Sequence, residues 1–493
     1  MDRYKHRSAV SDLRVNAAND QAVNPRGSYV LYWMIGARRT RANFAIDRAL
    51  AHVRELGKPL LVFEPLRAGY QWASDRHHAF VLQGMADNAR SCEAAGVTYF
   101  PYVEPEPGAG SGLLAALAAK ACVVVTDEQP GFFLPRMVAA AAKRIAVRVE
   151  QVDGNGLLPL RAVDKAYPTA ASFRRQLQKT LPEHLVRFPT DEPLARAPKI
   201  LRGAVVPRLA GWTRASDALL AAAPAALAKL PIDHDVAPVS YRGGSAAAAQ
   251  TLDAFIDHKL ARYADERSQP DADAASGLSP YLHFGHVGAH EIVARVWEQA
   301  GWDPSRLVGA KVTGSREGWW GLPPYAESFM DEVITWRELG YVFCHHRSDY
   351  GTFESLPAWA QATLTKHAKD PRPERYTPKQ LEAAQTADPV WNAAQRELVA
   401  EGRIQNYLRM LWGKKILEWS PSPRAALATL IQLNNKYAVD GRDPNSYSGI
   451  LWTLGLFDRP WGPERPIYGT IRYMTSGSTL RKLRLKAYLA RWA

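Results

Sequence analysis

A carboxylate and an indole lie four residues apart in the segment DEVITWREL, where Glu332 precedes Trp336. Residues at this spacing share one face of an α-helix. The pair therefore indicates either an ordinary amphipathic face or one wall of a pocket. In the second case the indole would stack on a flat ligand, and the carboxylate would accept a hydrogen bond from it.

The segment QNYLRMLWGKKILEW, residues 405–419, predicts one helix in which two large indoles stand among charged side chains. Trp412 and Trp419 are seven residues apart, so two helical turns return them to nearly the same face. Taken by itself, an aromatic stripe of this kind is typical of a protein core.

Two histidines in HFGHVGAHE, His286 and His290, have a spacing that can bind a metal on one helix face. The third ligand and the general-base glutamate of a zincin do not follow in the right order. We therefore expect capping or surface histidines, and we predict no metal site.

Two further segments have the composition of ligand-binding turns. SGLSP places Ser276 and Ser279 ahead of a helix expected to begin near Tyr281, where hydroxyls serve either as N-caps or as phosphate ligands. NNKYAVDGRDPNSYSGILW predicts a loop or a broken helix beside an indole. Buried polar loops are costly unless a partner satisfies them, which favours a bound cofactor.

The elements that must position these residues change in type along the chain. Between residues 28 and 153, apolar runs alternate with helical segments, which predicts a doubly wound parallel sheet with helices on both faces. Farther on, the apolar residues recur with helical period. The predicted division is an α/β domain at 20–160, a connector at 161–245 and an all-α domain at 246–493. No dinucleotide or triphosphate fingerprint opens a helix.

Charge and cysteine content limit the classes of partner. The chain has 493 residues, and 62 Lys and Arg against 49 Asp and Glu leave a net charge of +13. That surplus favours polyanions such as nucleic acid or acidic membrane. The 3 cysteines are scattered, which excludes a disulfide framework. Without a signal peptide or an apolar run of spanning length, we expect a cytoplasmic protein and no membrane partner.

Six blocks follow one another along the chain: YVLYWM, SGLSPYLHFG, DPVWNAAQ, LRMLWGKKILEW, LNNKYAVDGRDPNSYSGILW and RPIYGTIRYM. In this order they resemble the class II cyclobutane pyrimidine dimer photolyases, with the weakest match in the connector. The resemblance implies the photolyase/cryptochrome fold, with an α/β antenna domain and a helical domain that holds FAD. It also implies light-driven repair, in which photoexcited reduced FAD passes an electron to a pyrimidine dimer in DNA.

The resemblance further implies which residues hold FAD. Those that match the phosphate-binding segment are Tyr263, Ser276, Leu278 and Ser279. Arg409 and Asp440 match an ion pair over the isoalloxazine, Asn434 matches the asparagine that faces flavin N5, and Asp443 is expected beside them. The antenna chromophore stays open among a deazaflavin, a folate, a flavin and none.

Three tryptophans match a relay that carries an electron from the surface to the photoexcited flavin: Trp412, Trp391 and Trp419. Indoles can be oxidised and re-reduced. The stripe on residues 405–419, with Trp391 from a neighbouring segment, would therefore supply stepping stones.

The residues that match the dimer pocket are Glu332, Trp336, Asn406, Met410 and Trp452. Protonated Glu332 would stabilise the dimer radical anion through a hydrogen bond, and the two indoles would pack on bases flipped from the duplex. Arg472 and Arg481 would contact phosphates of the DNA partner. We expect a monomer.

The chain departs from the family at the start of this helix. Gln405 stands where the family usually has histidine, and a glutamine cannot change protonation near neutral pH. Asn406 stands where (6-4) photolyases have a catalytic histidine, which argues against (6-4) repair. The alternatives are a cryptochrome-like photoreceptor that signals to a protein partner and a flavoprotein that binds DNA without repair. Retention of the dimer pocket favours repair.

Overall fold

A computed structural model of the protein describes residues 10–195, 201–209 and 211–493. Its strands are β1 Val15–Ala17, β2 Tyr29–Trp33, β3 Leu60–Leu66, β4 Thr98–Val103, β5 Ala121–Asp127 and β6 Val149–Val152. Its helices are α1 Phe44–Leu56, α2 Asp75–Ala95, α3 Leu113–Ala118, α4 Leu134–Ala142, α5 Ala170–Thr180, α6 Asp217–Leu220, α7 Pro224–Leu227, α8 Ser245–His258, α9 Tyr263–Glu266, α10 Ser279–His283, α11 Ala289–Gln299, α12 Pro324–Met330, α13 Arg337–His346, α14 Ala358–Lys366, α15 Pro378–Glu382, α16 Pro389–Glu401, α17 Asn406–Trp419, α18 Pro423–Tyr437, α19 Pro444–Trp452, α20 Ser476–Lys482 and α21 Lys486–Arg491. A π-helical turn, Asp331–Trp336, joins α12 to α13.

The sheet has six strands in the order β1-β6-β5-β2-β3-β4. Every pair is parallel except β1 with β6, which is antiparallel. All five residues of β2 are buried, as expected for a central strand covered on both faces. This confirms the predicted parallel sheet. The short antiparallel strand β1, with the sequence VNA, was not predicted because it lacks an apolar run.

The described chain forms two compact units. The first comprises described residues of 1–163, 180–253 and 278–308, and the second comprises 164–179, 254–277 and 309–493. In the first unit, α6 and α7 from the predicted connector pack on α2. Residues 196–200 and 210 of that connector lie outside the described residues. The division at 20–160, 161–245 and 246–493 stays a prediction, because a compact unit is not the same thing as an independently folding domain.

The second unit is built from helices, and its described residues contain no named strand. Helix α17 packs between α16 and α18, while α13 packs on α19. Gln405 caps α17, because its side-chain oxygen accepts a hydrogen bond from Leu408 N at 3.1 Å. The helical character of the C-terminal region is confirmed, and the single helix predicted over residues 405–419 is found at Asn406–Trp419. Among the described residues, no helix is both long and apolar enough to cross a lipid bilayer.

In the first unit, the loop after β2 is held at the carboxyl end of the sheet. Asp127 accepts hydrogen bonds from Ile35 N at 2.8 Å and Gly36 N at 2.7 Å. Gly285 packs against the same loop, since a Cβ added to it would lie 1.9 Å from Gly36 O. Its φ of 69° also lies in the left-handed region. Only glycine meets both requirements.

We predict that Gly285→Ala destabilises the first unit more than a matched change at Gly301. Gly301 has a φ of 58° but nothing within 4 Å of an added Cβ, so Gly301→Ala costs roughly 1–2 kcal/mol of unfolding free energy. Gly285→Ala also displaces a carbonyl and costs roughly 3–4 kcal/mol. Urea unfolding followed by circular dichroism measures the difference. Equal losses would contradict the close approach to Gly36.

Candidate functional site

Three indoles form a continuous series in the second unit. The Trp412 and Trp391 ring centroids are 6.4 Å apart with planes inclined by 3°, and those of Trp391 and Trp419 are 5.4 Å apart at 75°. Trp391 Nε1 donates to Trp412 O at 3.0 Å, and Trp412 Nε1 donates to Gln395 Oε1 at 2.9 Å. Helices α16 and α17 thus bring together the three tryptophans that the sequence singled out.

The outer end of the series is covered by another aromatic ring. Trp419 is only 2% exposed, and Tyr376 lies against it with centroids 5.0 Å apart at 83°. Lys415 Nζ lies 5.3 Å from the centre of the Trp419 ring. Sequence reasoning missed Tyr376, which comes from a loop ahead of α15 and shares no spacing pattern with the tryptophans.

Glu332 is paired with an arginine that sequence reasoning also missed. The Arg267 guanidinium donates to the Glu332 carboxylate and lies 5.6 Å from the centre of the Tyr263 ring. Gln405 Nε2 donates to Arg267 O at 2.8 Å, which ties the start of α17 to this pair. Burial raises the pKa of the Glu332 carboxyl, and the Arg267 charge opposes the increase. Burial and the Glu332 charge both raise the pKa of the Tyr263 hydroxyl.

Glu332 and Trp336 lie on a π-helical turn rather than on the predicted α-helical face. Such turns are rare and frequently occur at functional sites. The turn is anchored by Asp331, whose carboxylate accepts two hydrogen bonds from Arg174, at 2.9 and 3.0 Å. The wider winding of this turn could not be predicted from the spacing of its residues.

Helix α17 contains three of the other predicted residues. Asn406 is exposed in its first turn, and Met410 is half-buried. Arg409 Nε is buried and, within the described residues, has no hydrogen-bond partner. A buried unpaired donor of a charged side chain is costly. The position therefore fits a polar or anionic group of a bound ligand such as FAD.

A polar layer joins α18 to α19. Asn434 Nδ2 donates to Asn435 Oδ1 at 3.1 Å and to Ser446 Oγ at 2.8 Å, which fixes the orientation of its amide. Asp443 caps α19 through Asn445 N at 2.8 Å and accepts a hydrogen bond from Tyr341 OH, also at 2.8 Å. The break between the helices confirms the predicted broken helix. Asp440 lies in that break, and its ion pair with Arg409 stays a prediction.

Trp452 ends α19 between two cationic groups. Lys414 Nζ lies 5.1 Å and Arg472 Cζ 5.4 Å from the centre of its ring. Arg472 is paired with Asp458 at 3.0 Å, whereas Arg481 is exposed in the last turn of α20. The phosphate contacts expected of the two arginines stay predictions.

The predicted phosphate-binding residues are divided between the two compact units. Leu278 and Ser279 belong to the first unit, where α10 begins at Ser279 without a side-chain cap. Tyr263 and Ser276 belong to the second unit. Helix α10 therefore begins two residues before Tyr281, where the sequence predicted its start. Contacts of these residues with phosphate stay predictions.

His286 and His290 are 1% and 2% exposed, so the expectation of surface histidines is wrong. His286 precedes α11, and its Nδ1 accepts a hydrogen bond from Gly244 N at 2.9 Å. Burial lowers the pKa of His286 to about 3. His290 packs edge-on against Phe44 and Phe188, with centroids 5.1 and 4.9 Å away. Both imidazoles serve the packing of the first unit.

Comparisons with known proteins identify relatives along the whole chain. No protein-family model matches it. It is 32% identical over 482 residues to a deoxyribodipyrimidine photo-lyase of Methanothermobacter thermautotrophicus, with 97% of each chain covered. It is also 32% identical over 480 residues to that of Arabidopsis thaliana, covering 96% of this chain and 89% of the relative.

Solved structures have the same fold. A class III photolyase from Agrobacterium tumefaciens matches with a TM-score of 0.65 at 18% identity, covering 94% of this chain and 86% of that one. A cryptochrome of Synechocystis sp. PCC6803 matches with a TM-score of 0.67 at 15% identity, covering 94% and 88%. These matches confirm the fold predicted from the sequence.

We predict that Arg267→Met destabilises the second unit more at about pH 8 than at about pH 5. A carboxyl whose pKa is raised by folding binds more protons in the folded state, so its contribution to stability falls as pH rises. Loss of the opposing guanidinium enlarges this effect at Glu332, by about 1–3 kcal/mol at the higher pH. Calorimetric unfolding at both pH values measures it. When Glu332→Gln is also present, Arg267→Met should cause a loss of unfolding free energy that does not depend on pH. A loss independent of pH in Arg267→Met alone would exclude the coupling.

Proposed function

The chain belongs to the deoxyribodipyrimidine photo-lyases, a family of light-dependent DNA-repair enzymes, and we propose that it splits cyclobutane pyrimidine dimers with bound FAD as a class II member. One observation supports this most strongly: the buried series Trp412, Trp391 and Trp419 begins on the helix that holds Arg409 and Met410. An electron path and residues matching the flavin and dimer sites thus share one element.

FAD, when bound, supplies light absorption and an excited electron donor. Arg409 would direct its unpaired Nε–H at a polar group of the cofactor. Asn434 would present its carbonyl oxygen, since its amide nitrogen already donates to Asn435 and Ser446. Asp443 would act mainly by holding the start of α19, because both its oxygens accept hydrogen bonds within the protein. Tyr263, Ser276, Leu278, Ser279 and Asp440 complete the proposed cofactor residues.

The tryptophan series would move an electron inward along α16 and α17. Ring-centre spacings of 6.4 and 5.4 Å place neighbouring indoles in close contact. Trp391 and Trp412 donate hydrogen bonds to neutral oxygen atoms, a backbone carbonyl and a glutamine amide.

Glu332 would hold the proton that hydrogen-bonds the dimer. Burial raises its pKa, so the carboxyl is protonated more easily than that of an exposed glutamate, and the neutral acid can donate where charge develops. Trp336, Met410 and Trp452 would pack against the flipped bases, with Asn406 at their edge. Arg472 and Arg481 would contribute positive charge towards the phosphates.

A second chromophore would bind at the carboxyl ends of β3 and β5 in the first unit. Four aromatic residues cluster there: Trp72 stacks on Phe132 at 6.1 Å, Phe132 contacts Phe133 at 4.8 Å, and Tyr70 contacts both phenylalanines. Ligands of doubly wound sheets bind at this edge. A deazaflavin, a folate, a flavin and no second chromophore at all stay open. A monomeric state and a cytoplasmic location stay predictions.

Illumination of the reduced protein with thymine-dimer DNA tests the function, and restored thymine absorbance is the expected result. Glu332→Ala should lower the repair yield about 10- to 100-fold while dimer affinity changes far less. Glu354→Ala, at an exposed ion pair with Arg424, is the matched control. Flavin photoreduction without any dimer splitting by the wild type would instead favour the photoreceptor.

We predict that Trp391→Phe leaves FAD bound but slows light-driven flavin reduction. Phenylalanine is harder to oxidise than tryptophan, and a barrier higher by about 1.4 kcal/mol already slows a step tenfold. Transient absorption of the flavin measures the rate. Trp297→Phe, at a buried indole of the first unit, is the control. Equal rates in the two variants would remove Trp391 from the path.

A further inference from the structure

Lys414 is a lysine with no exposed surface. It lies on α17, and its Nζ donates to Thr453 O at 2.7 Å. The same nitrogen lies 5.1 Å from the centre of the Trp452 ring, within range of a cation–π interaction. Lysine is almost never fully buried unless it is paired, because its charge must leave water. The burial therefore indicates a specific role for this side chain.

The backbone around Lys414 fixes α17 against the end of α19. A Cβ added to Gly413 would lie 2.5 Å from Thr453 Cγ2, so the two segments are in close contact. Thr453 Oγ1 donates to Ile450 O at 2.6 Å. Tyr468 OH donates towards Lys414 O at 3.0 Å. The ammonium is thus held at a fixed depth beside the Trp452 ring.

Arg472 approaches the same indole. Its guanidinium is 5.4 Å from the Trp452 ring centre and 4.0 Å from that of Trp461. Asp458 fixes the arginine through bonds of 3.0 and 3.3 Å and accepts from Trp461 Nε1 at 3.1 Å. Trp452 therefore contacts two cations, only one of which has a carboxylate partner among the described residues.

We infer that Lys414 is a positioning residue that holds the Trp452 indole in the orientation needed to bind a pyrimidine dimer. The inference rests on the proposed function, because it requires Trp452 to pack on the substrate. An indole already fixed in place loses less conformational entropy on binding than a mobile one. Lys414 would act through Trp452 and would not touch the dimer.

The charge on Lys414 is sensitive to pH near neutrality. Burial lowers its pKa to about 7, while Asp458 raises it and Arg472 lowers it further. Tyr468, whose hydroxyl reaches Lys414 O, is also hydrogen-bonded to Glu418 at 3.1 Å. Deprotonation removes the attraction to the indole but leaves a neutral amine that still donates to Thr453 O. Preference for dimer DNA should therefore fall as pH rises through about 7.

The test compares binding of dimer DNA and undamaged DNA by the FAD-loaded protein. Lys414→Met keeps the length of the side chain and removes the charge, and we expect the preference for dimer DNA to fall about tenfold. Flavin photoreduction through the tryptophans should stay unchanged. Lys379→Met, at an exposed lysine of α15, is the matched control and should retain the preference.

The wild-type pH profile provides an independent measurement. We expect the preference to decline between about pH 6 and pH 8 in the wild type and to be flat and low in Lys414→Met. A full preference in Lys414→Met, or a flat wild-type profile, would overturn the inference. If Lys414→Met does not retain FAD, the wild-type profile alone decides. Absence of repair by the wild type would instead count against the proposed function.

Discussion

The second unit depends on burying positive charge along α17. Arg409 and Lys414 lie five residues apart on α17, which packs against α16 and α18. Lys414 is fully buried, whereas Arg409 is half-buried with a buried Nε. Each buried cation needs a compensating group. Lys414 finds a backbone carbonyl and an indole face, whereas Arg409 keeps an unmet donor within the described residues. The mixture of charges and indoles on this helix therefore suits the binding role proposed for it as well as a place in the core.

A second constraint is the linkage of the π-helical turn to the start of α17. Glu332 pairs with Arg267, and Gln405 binds the backbone of Arg267 while capping α17. A glutamine does not titrate, so this connection keeps the same charge at every physiological pH. Burial raises the pKa of the Glu332 carboxyl and the Arg267 guanidinium is the main group that lowers it, without a titrating imidazole in the link.

Much of the fold could be predicted from local patterns, because buried parallel strands and amphipathic helices leave periodic signals. The tryptophan stripe on α17 was visible for the same reason. Local patterns could not predict the roles of Arg267 and Tyr376 or the burial of Lys414, since each depends on contacts between distant segments. Lysine at a helical position is ordinarily a solvated residue. The buried histidines of the first unit were misjudged for the same reason: their environment comes from Phe44, Phe188 and Gly244, which sequence spacing does not reveal.

The cations also distinguish the indoles of the second unit from one another. Trp391 and Trp412 have no cation over their rings among the described residues, and Lys415 beside Trp419 is offset by Glu418 at 3.0 Å and Asp388 at 3.8 Å. Trp452 instead faces Lys414 and Arg472, of which Arg472 is paired with Asp458. A nearby positive charge disfavours removal of an electron from a ring. By this electrostatic effect, electron loss is easier in the tryptophan series than at Trp452, the indole proposed above to pack against the dimer.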